Sequence, residues 1–192
     1  MIRWWPPVAL AAMLLLGFAV GPGSTPLDDW FLRFGDSPAR ALLLFSNPVP
    51  LSLVMMFSAA VAFDSRRGRL AAIVIVAPVL TWVAAQLLKR LFGRYKDGYY
   101  AYPSGHIALT VVVMGLVVVV AGAALWSVWT TSAAVLLAII GQSVTYHYFT
   151  DTVGALLLGS AIVCLAALVA KPRLTGVNQT GYREAEVATI GP

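Results

Sequence analysis

Charge is scarce in this chain. Only 11% of its 192 residues are Asp, Glu, Lys or Arg, less than half the share usual in a soluble globular domain, and its mean hydropathy is +0.85. A soluble helical bundle needs polar outer faces, and the long apolar runs here have none. Cysteine is nearly absent too. The single Cys164 excludes an intramolecular disulfide framework, and its apolar surroundings read as those of a small buried hydrophobe. There are two histidines and no carboxylate cluster of the kind that holds Mg²⁺, so neither a metal nor another cofactor is expected. No internal repeat is present. The net charge of +5 is modest, gives no reason to expect a nucleic-acid partner, and gains meaning only from its distribution along the chain.

Apolar sequence fills most of the rest. Runs at about 6–21, 42–63, 70–92, 106–126, 129–149 and 152–170 approach the ~20 residues that cross a bilayer. The expected fold is an all-α, polytopic membrane helical bundle with about six transmembrane helices, formed by one domain over 1–170. The remainder, 171–192, is polar and lacks an apolar period; it is expected to be a disordered cytoplasmic tail. "NPVP" at 47–50 predicts a kink or a late start in the second span. The first run also has a signal-peptide reading, with one Arg, an apolar stretch and then small residues, but no clean small-x-small cleavage site follows it. In 26–41, Leu27, Trp30, Phe31 and Phe34 recur at helical spacing, with Asp28, Asp29 and Arg33 elsewhere on the wheel. That pattern predicts a short interfacial helix that anchors the chain at the membrane surface.

Basic residues orient the spans. Arg3, the three arginines of "DSRRGR" (64–69), and Lys171, Arg173 and Arg183 of the tail share one side of a six-span chain, which the positive-inside rule makes cytoplasmic. Both termini are then cytoplasmic, in a plasma or inner membrane. The loop after the third span carries Lys89, Arg90, Arg94 and Lys96 on the opposite, outer side. Basic residues against the trend call for another explanation, and anion binding supplies one.

Two stretches at that outer edge carry chemistry. In "AYPSGH" (101–106), Ser104 is a natural N-cap for the helix that follows. Pro103 and Gly105 permit a tight turn, and a helix amino terminus offers free N–H groups to a phosphate. His106 projects at the same place. In "YHYFTDTVG", His147 precedes Asp151 by four residues; a carboxylate there can hold one imidazole nitrogen and raise the basicity of the ring. Asp151 can also cap the last helix. An ordinary cap and interfacial histidines would explain each stretch alone. The convergence of both histidines and the basic loop on one face favours a functional site.

Taken together, Lys89 and Lys96 with six residues between them, Pro103-Ser104-Gly105-His106, and His147 with Asp151 resemble the three signature motifs of the phosphatidic acid phosphatase type 2 superfamily, membrane lipid phosphatases related in fold to vanadium haloperoxidases. The resemblance covers about residues 70–165. It departs from the family pattern twice. The first motif usually ends in Arg-Pro, where this chain has Lys96-Asp97. The third usually has an Arg six residues before the histidine, where this chain has Gly141, with Gln142 beside it. Lys keeps the charge but loses the bidentate fork, and Gly keeps nothing; Arg94 is the residue expected to compensate. The resemblance implies hydrolysis of a terminal phosphate or pyrophosphate on a lipid, without metal, through a phosphohistidine. His147 would be the nucleophile, Asp151 its orienting carboxylate and His106 the general acid. Lys89, Lys96, Ser104, the Gly105 amide and Arg94 would hold the phosphoryl oxygens. The implied partners are a lipid phosphate and the membrane lipid around it. A lipid phosphotransferase on the same site, a non-catalytic lipid-phosphate binder and a small transporter are the alternatives; the last has no charged pathway in its spans to support it.

Overall fold

A computed structural model describes residues 2–170; the polar segment 171–192, including Lys171, Arg173 and Arg183, lies outside the described residues. The chain forms α1 (Trp5–Val20), α2 (Pro26–Leu32), a 3-10 segment (Pro38–Ser46), α3 (Pro48–Asp64), α4 (Gly68–Phe92), a hairpin of β1 (Tyr95–Lys96) and β2 (Tyr99–Tyr100), α5 (Gly105–Val120), α6 (Leu125–Ser143) and α7 (Phe149–Ala170). The described chain is nearly all helical, as the composition implies.

Four helices are long and apolar enough to cross a membrane: the 3-10 segment taken with α3, then α4, α6 and α7. The six apolar runs are therefore not six equal spans. α1 and α5 have 16 residues each, about 24 Å at 1.5 Å per residue, against about 30 Å of hydrocarbon. The fourth run was expected to reach 126. It stops at Val120 because Gly122 and Ala123 take positive φ in the turn to α6. The second run starts late, as "NPVP" predicts: Asn47 ends the 3-10 segment and caps α3 by accepting from the Val49 amide at 2.9 Å. The stretch 26–41 is not one amphipathic helix, since only Pro26–Leu32 is α-helical before the chain turns into the 3-10 segment.

α5 is the centre of the bundle. It packs against α3, α4, α6 and α7, while α1 lies along α7. Its apolar run supplies buried Ile107, Val112 and Leu116, and Leu70, Val74 and Leu158 close around them. The outward faces stay apolar, with Ile75, Val79, Leu80 and Leu87 of α4 exposed. Exposed Trp4, Trp126 and Trp129 mark one end of the bundle, and Trp30, Tyr99 and Tyr146 mark the other, a two-belt distribution suited to a pair of membrane interfaces.

The second end gathers the chemistry. The carboxyl ends of α4 and α6, the amino ends of α5 and α7, α2 and the hairpin all meet there. Tyr102 anchors the loop that enters α5. It is fully buried, packs edge-on against Phe92 and donates its hydroxyl to the Met13 carbonyl of α1. Gly154 of α7 permits this approach, because any Cβ there would overlap the Tyr102 ring.

Candidate active site

Each side chain of the site is held by local structure. Ser104 adopts the extended geometry of an N-cap and accepts from the Ile107 amide at 3.4 Å, so α5 begins at Gly105. His106 therefore sits in the first turn, where it is exposed. The first amides of a helix have no internal partner, so those of Gly105 and His106 point out of the same end. A Cβ built on Gly105 would meet nothing within 4 Å, so open space lies beside its Cα. The Ser104 amide donates to the Asp151 carbonyl at 3.1 Å, which ties this loop to the start of α7.

At that start, Asp151 accepts from the Tyr148 amide at 3.0 Å and so caps α7 by reaching back three residues. His147 lies in the loop just before, 7% exposed, with Nδ1 at 3.6 Å from Asp151 Oδ2. This is just beyond hydrogen-bond distance, and Nδ1 has no hydrogen-bond partner among the described residues. Catalytic hydrogen bonds of this kind are often long before substrate binds. Burial pushes the His147 imidazole below its ordinary range, and the nearby Asp151 carboxylate offsets part of the shift. The net shift favours the neutral imidazole, the form a nucleophile requires. The ring centres of His106 and His147 are 6.4 Å apart.

The lysines flank this pair. Lys89, in the last turn of α4, donates to the Tyr100 carbonyl at 2.9 Å. The hairpin turns at Asp97-Gly98, both with positive φ, as a two-residue hairpin loop demands. Lys96 is buried, while Tyr95, Tyr99 and Tyr100 are exposed. Lys96 Nζ donates to the Thr145 carbonyl at 2.8 Å, on the loop that carries His147. Burial lowers its pKa, opposed by Asp97, Asp151 and Asp28. An ammonium has three donors, so both lysines retain capacity for an anion.

Arg94 differs from the expectation. It is 1% exposed and spans two carboxylates, with Nη2 at 2.9 Å from Asp28 and Nη1 at 2.8 Å from Asp151. Nη1 also donates to Thr150 Oγ1 at 2.7 Å, while Nε and Nη2 donate to the Gly23 carbonyl at 3.2 and 2.7 Å. These contacts use all five guanidinium donors, leaving none for a phosphoryl oxygen. Arg94 is a partner of the Asp28 and Asp151 carboxylates, not the free anion ligand expected from the sequence. Gly141 has a separate cause. A Cβ there would lie 2.7 Å from the backbone of Leu42 and Leu43, so the 3-10 segment fills the space a side chain would need. Gln142 points the same way and donates to Ser46 Oγ at 2.8 Å.

Comparison with family models, curated proteins and solved structures gives no match. The geometry therefore carries the functional argument alone.

Asp28 is the residue that sequence reasoning missed. It was assigned to the polar side of an anchoring helix, yet it is fully buried. Its carboxylate accepts from the Thr25 and Thr150 amides, both at 2.9 Å. Burial would raise its pKa, but these hydrogen bonds outweigh burial and hold it below the ordinary carboxylate range. The one sequence signal was Thr25, three residues ahead, which forms a capping box with Asp28.

Proposed function

We propose that this chain is an integral membrane lipid phosphatase with six spans, which removes a terminal phosphate or pyrophosphate through a phosphohistidine. The observation that carries the reading is the pairing of His106, in the first turn of α5, with buried His147 at 6.4 Å between ring centres, beside Asp151. That separation places both imidazoles at one site, where they can act on the same phosphoryl group. His147 Nε2 attacks phosphorus as the bond to the lipid oxygen breaks, and His106 protonates the departing oxygen. Asp151 receives the Nδ1–H of the cationic ring. Water then attacks phosphorus, His106 takes its proton, and the N–P bond breaks to return His147 and release phosphate. Lys89, Lys96 and the α5 amino-terminal amides face the charge that develops on the phosphoryl oxygens.

A groove of about 280 Å³ between α3, α4 and α5 supports a lipid substrate. It is lined by Leu51, Met55, Trp82, Leu109 and Val113, and the last two share a helical face with His106. Arg66, Arg67 and Arg69 lie at the opposite end of the bundle from the histidines, which by the positive-inside rule makes the site face outward.

The test is phosphate release by the purified chain in detergent over phosphatidic acid, phosphatidylglycerophosphate and polyprenyl phosphates and pyrophosphates, with His147→Ala as control. Release abolished by His147→Ala is expected; release unaffected by that change overturns the reading. A second reading, a lipid-phosphate binder without turnover, is favoured by one observation: every donor of Arg94, the arginine expected to hold the phosphate, is already engaged. Binding without release by the wild-type chain would select it. Transfer of phosphate to an added alcohol would select the phosphotransferase.

A further inference from the structure

The buried ion cluster behind Asp151 contains one more carboxylate than neutrality needs. Arg94 would be neutralised by Asp151 alone, at 2.8 Å, yet Asp28 joins it at 2.9 Å from a separate helix, and both carboxylates are fully buried. Burying an additional charge is costly. Asp28 is held there by Thr25 and Thr150, and Thr150 immediately precedes Asp151. The cluster is therefore rigid and carries a net charge of −1, and the unpartnered Nδ1 of His147 lies 3.6 Å from its Asp151 Oδ2.

We propose that Asp28 is a positioning residue of the His147 centre: through Arg94 it fixes the Asp151 carboxylate, and it supplies the excess negative charge that stabilises His147 as a cation. The catalytic part of this proposal rests on the phosphohistidine reading above, because Nε2 bonding to phosphorus is what makes the ring cationic. The charge arrangement does not depend on that reading. The other groups facing His147 are Lys89 from α4, Lys96 from the hairpin and His106 from α5, with the adjoining Tyr148 ring lying 4.4 Å under Arg94. Both lysines oppose a cationic ring, so without Asp28 the local balance would turn against it.

The charge count predicts the sign for each variant. Asp28→Asn leaves a neutral cluster and should lower the titration of His147 by at least about half a pH unit. Arg94→Gln leaves a net charge of −2 and should raise it. The double variant restores −1 and should return His147 towards wild type, although it has lost more hydrogen bonds than either single variant. A purely structural role predicts no reversal of sign and a double variant at least as perturbed as the singles. With only two histidines in the chain, isotope-labelled histidine gives a readable imidazole titration by NMR in micelles, assigned with His106→Gln. In the assay, Asp28→Asn should lower kcat at least about threefold with KM unchanged. If Asp28→Asn does not fold, the opposite-signed Arg94→Gln and the double variant still decide. An unmoved His147 titration in folded variants overturns the proposal. The predicted shifts in a wild-type chain that releases no phosphate would support the charge arrangement and refute the phosphatase reading instead.

Discussion

Gly141→Arg, which would supply the arginine that the resembled motif has at this position, should damage the protein instead of adding a contact to the proposed phosphate site. The magnitude can be worked from the contact. A Cβ at 141 would sit 2.7 Å from Leu42 C and Leu43 N and 3.0 Å from Leu42 O, where ordinary contact starts at 3.4 Å. The neighbours are backbone, so they cannot swing aside as a side chain would. Overpacking of this kind costs about 1–3 kcal/mol per added group. Replacing Gly in a helix recovers up to about 1 kcal/mol. Gly141→Ala should then destabilise by up to about 2 kcal/mol, and Arg, which must also displace the 3-10 segment, by more than about 3 kcal/mol. At about 2–4 °C per kcal/mol for a chain of this size, thermal unfolding in detergent separates the three proteins. Phosphate release from one lipid phosphate, normalised to folded protein, is the second assay. Wild-type Tm in Gly141→Arg together with raised turnover would refute the reasoning, because it would mean that the 3-10 segment yields and that the cradle lacked an arginine.

Asp151→Asn keeps the shape that caps α7 but removes the anion beside His147; turnover should fall by at least about 100-fold, and near wild-type turnover in a folded variant would remove His147 as nucleophile. Because burial lowers the His147 pKa, its neutral form persists on acidification, so the acid limb of kcat/KM against pH should lie below the ordinary histidine value of about 6.5; a limb above it would contradict the assignment. EDTA should leave turnover unchanged, while orthovanadate should inhibit as a transition-state mimic; loss with EDTA and recovery with Mg²⁺ would contradict the mechanism. Tyr100 is 40% exposed on the hairpin, so Tyr100→Cys in a chain lacking Cys164 should react with an impermeant thiol reagent in intact cells, and labelling only after lysis would invert the topology.

What the sequence made legible was local. The cap at Ser104, the start of α5 and the reach of Asp151 back to the α7 terminus all depend on residues within four positions, where side-chain preferences act directly. The apolar runs located the helices for the same reason. Residue spacing could not say which basic residue of "GRYKDG" faces the site. The hairpin decides that, turning Lys96 towards the His147 loop while Arg94, at the end of α4, is drawn to two carboxylates. Asp28 and Asp29 look alike in sequence, yet one is buried and its neighbour exposed, because the packing of α2 on α7 selects one face of a helix of only seven residues. The glycine at 141 was visible as a departure from the resembled motif, but its cause was not, since it lies in a segment almost a hundred positions earlier in the chain.

The burial of Tyr102 bears on how far the parts of this chain are interchangeable. Any apolar helix of 16 residues could tether a protein to a bilayer about as well as α1. Few could replace it here. Gly17 leaves the notch into which the Phe92 and Tyr102 rings fit, and the Met13 carbonyl receives the Tyr102 hydroxyl, two residues before the cap that aims His106. A leucine-rich substitute of equal length and hydropathy would preserve the anchor and lose the seat of the loop. The first helix is therefore part of the site's foundation, and a chimera that exchanges it should keep its place in the membrane while losing the alignment of its two histidines.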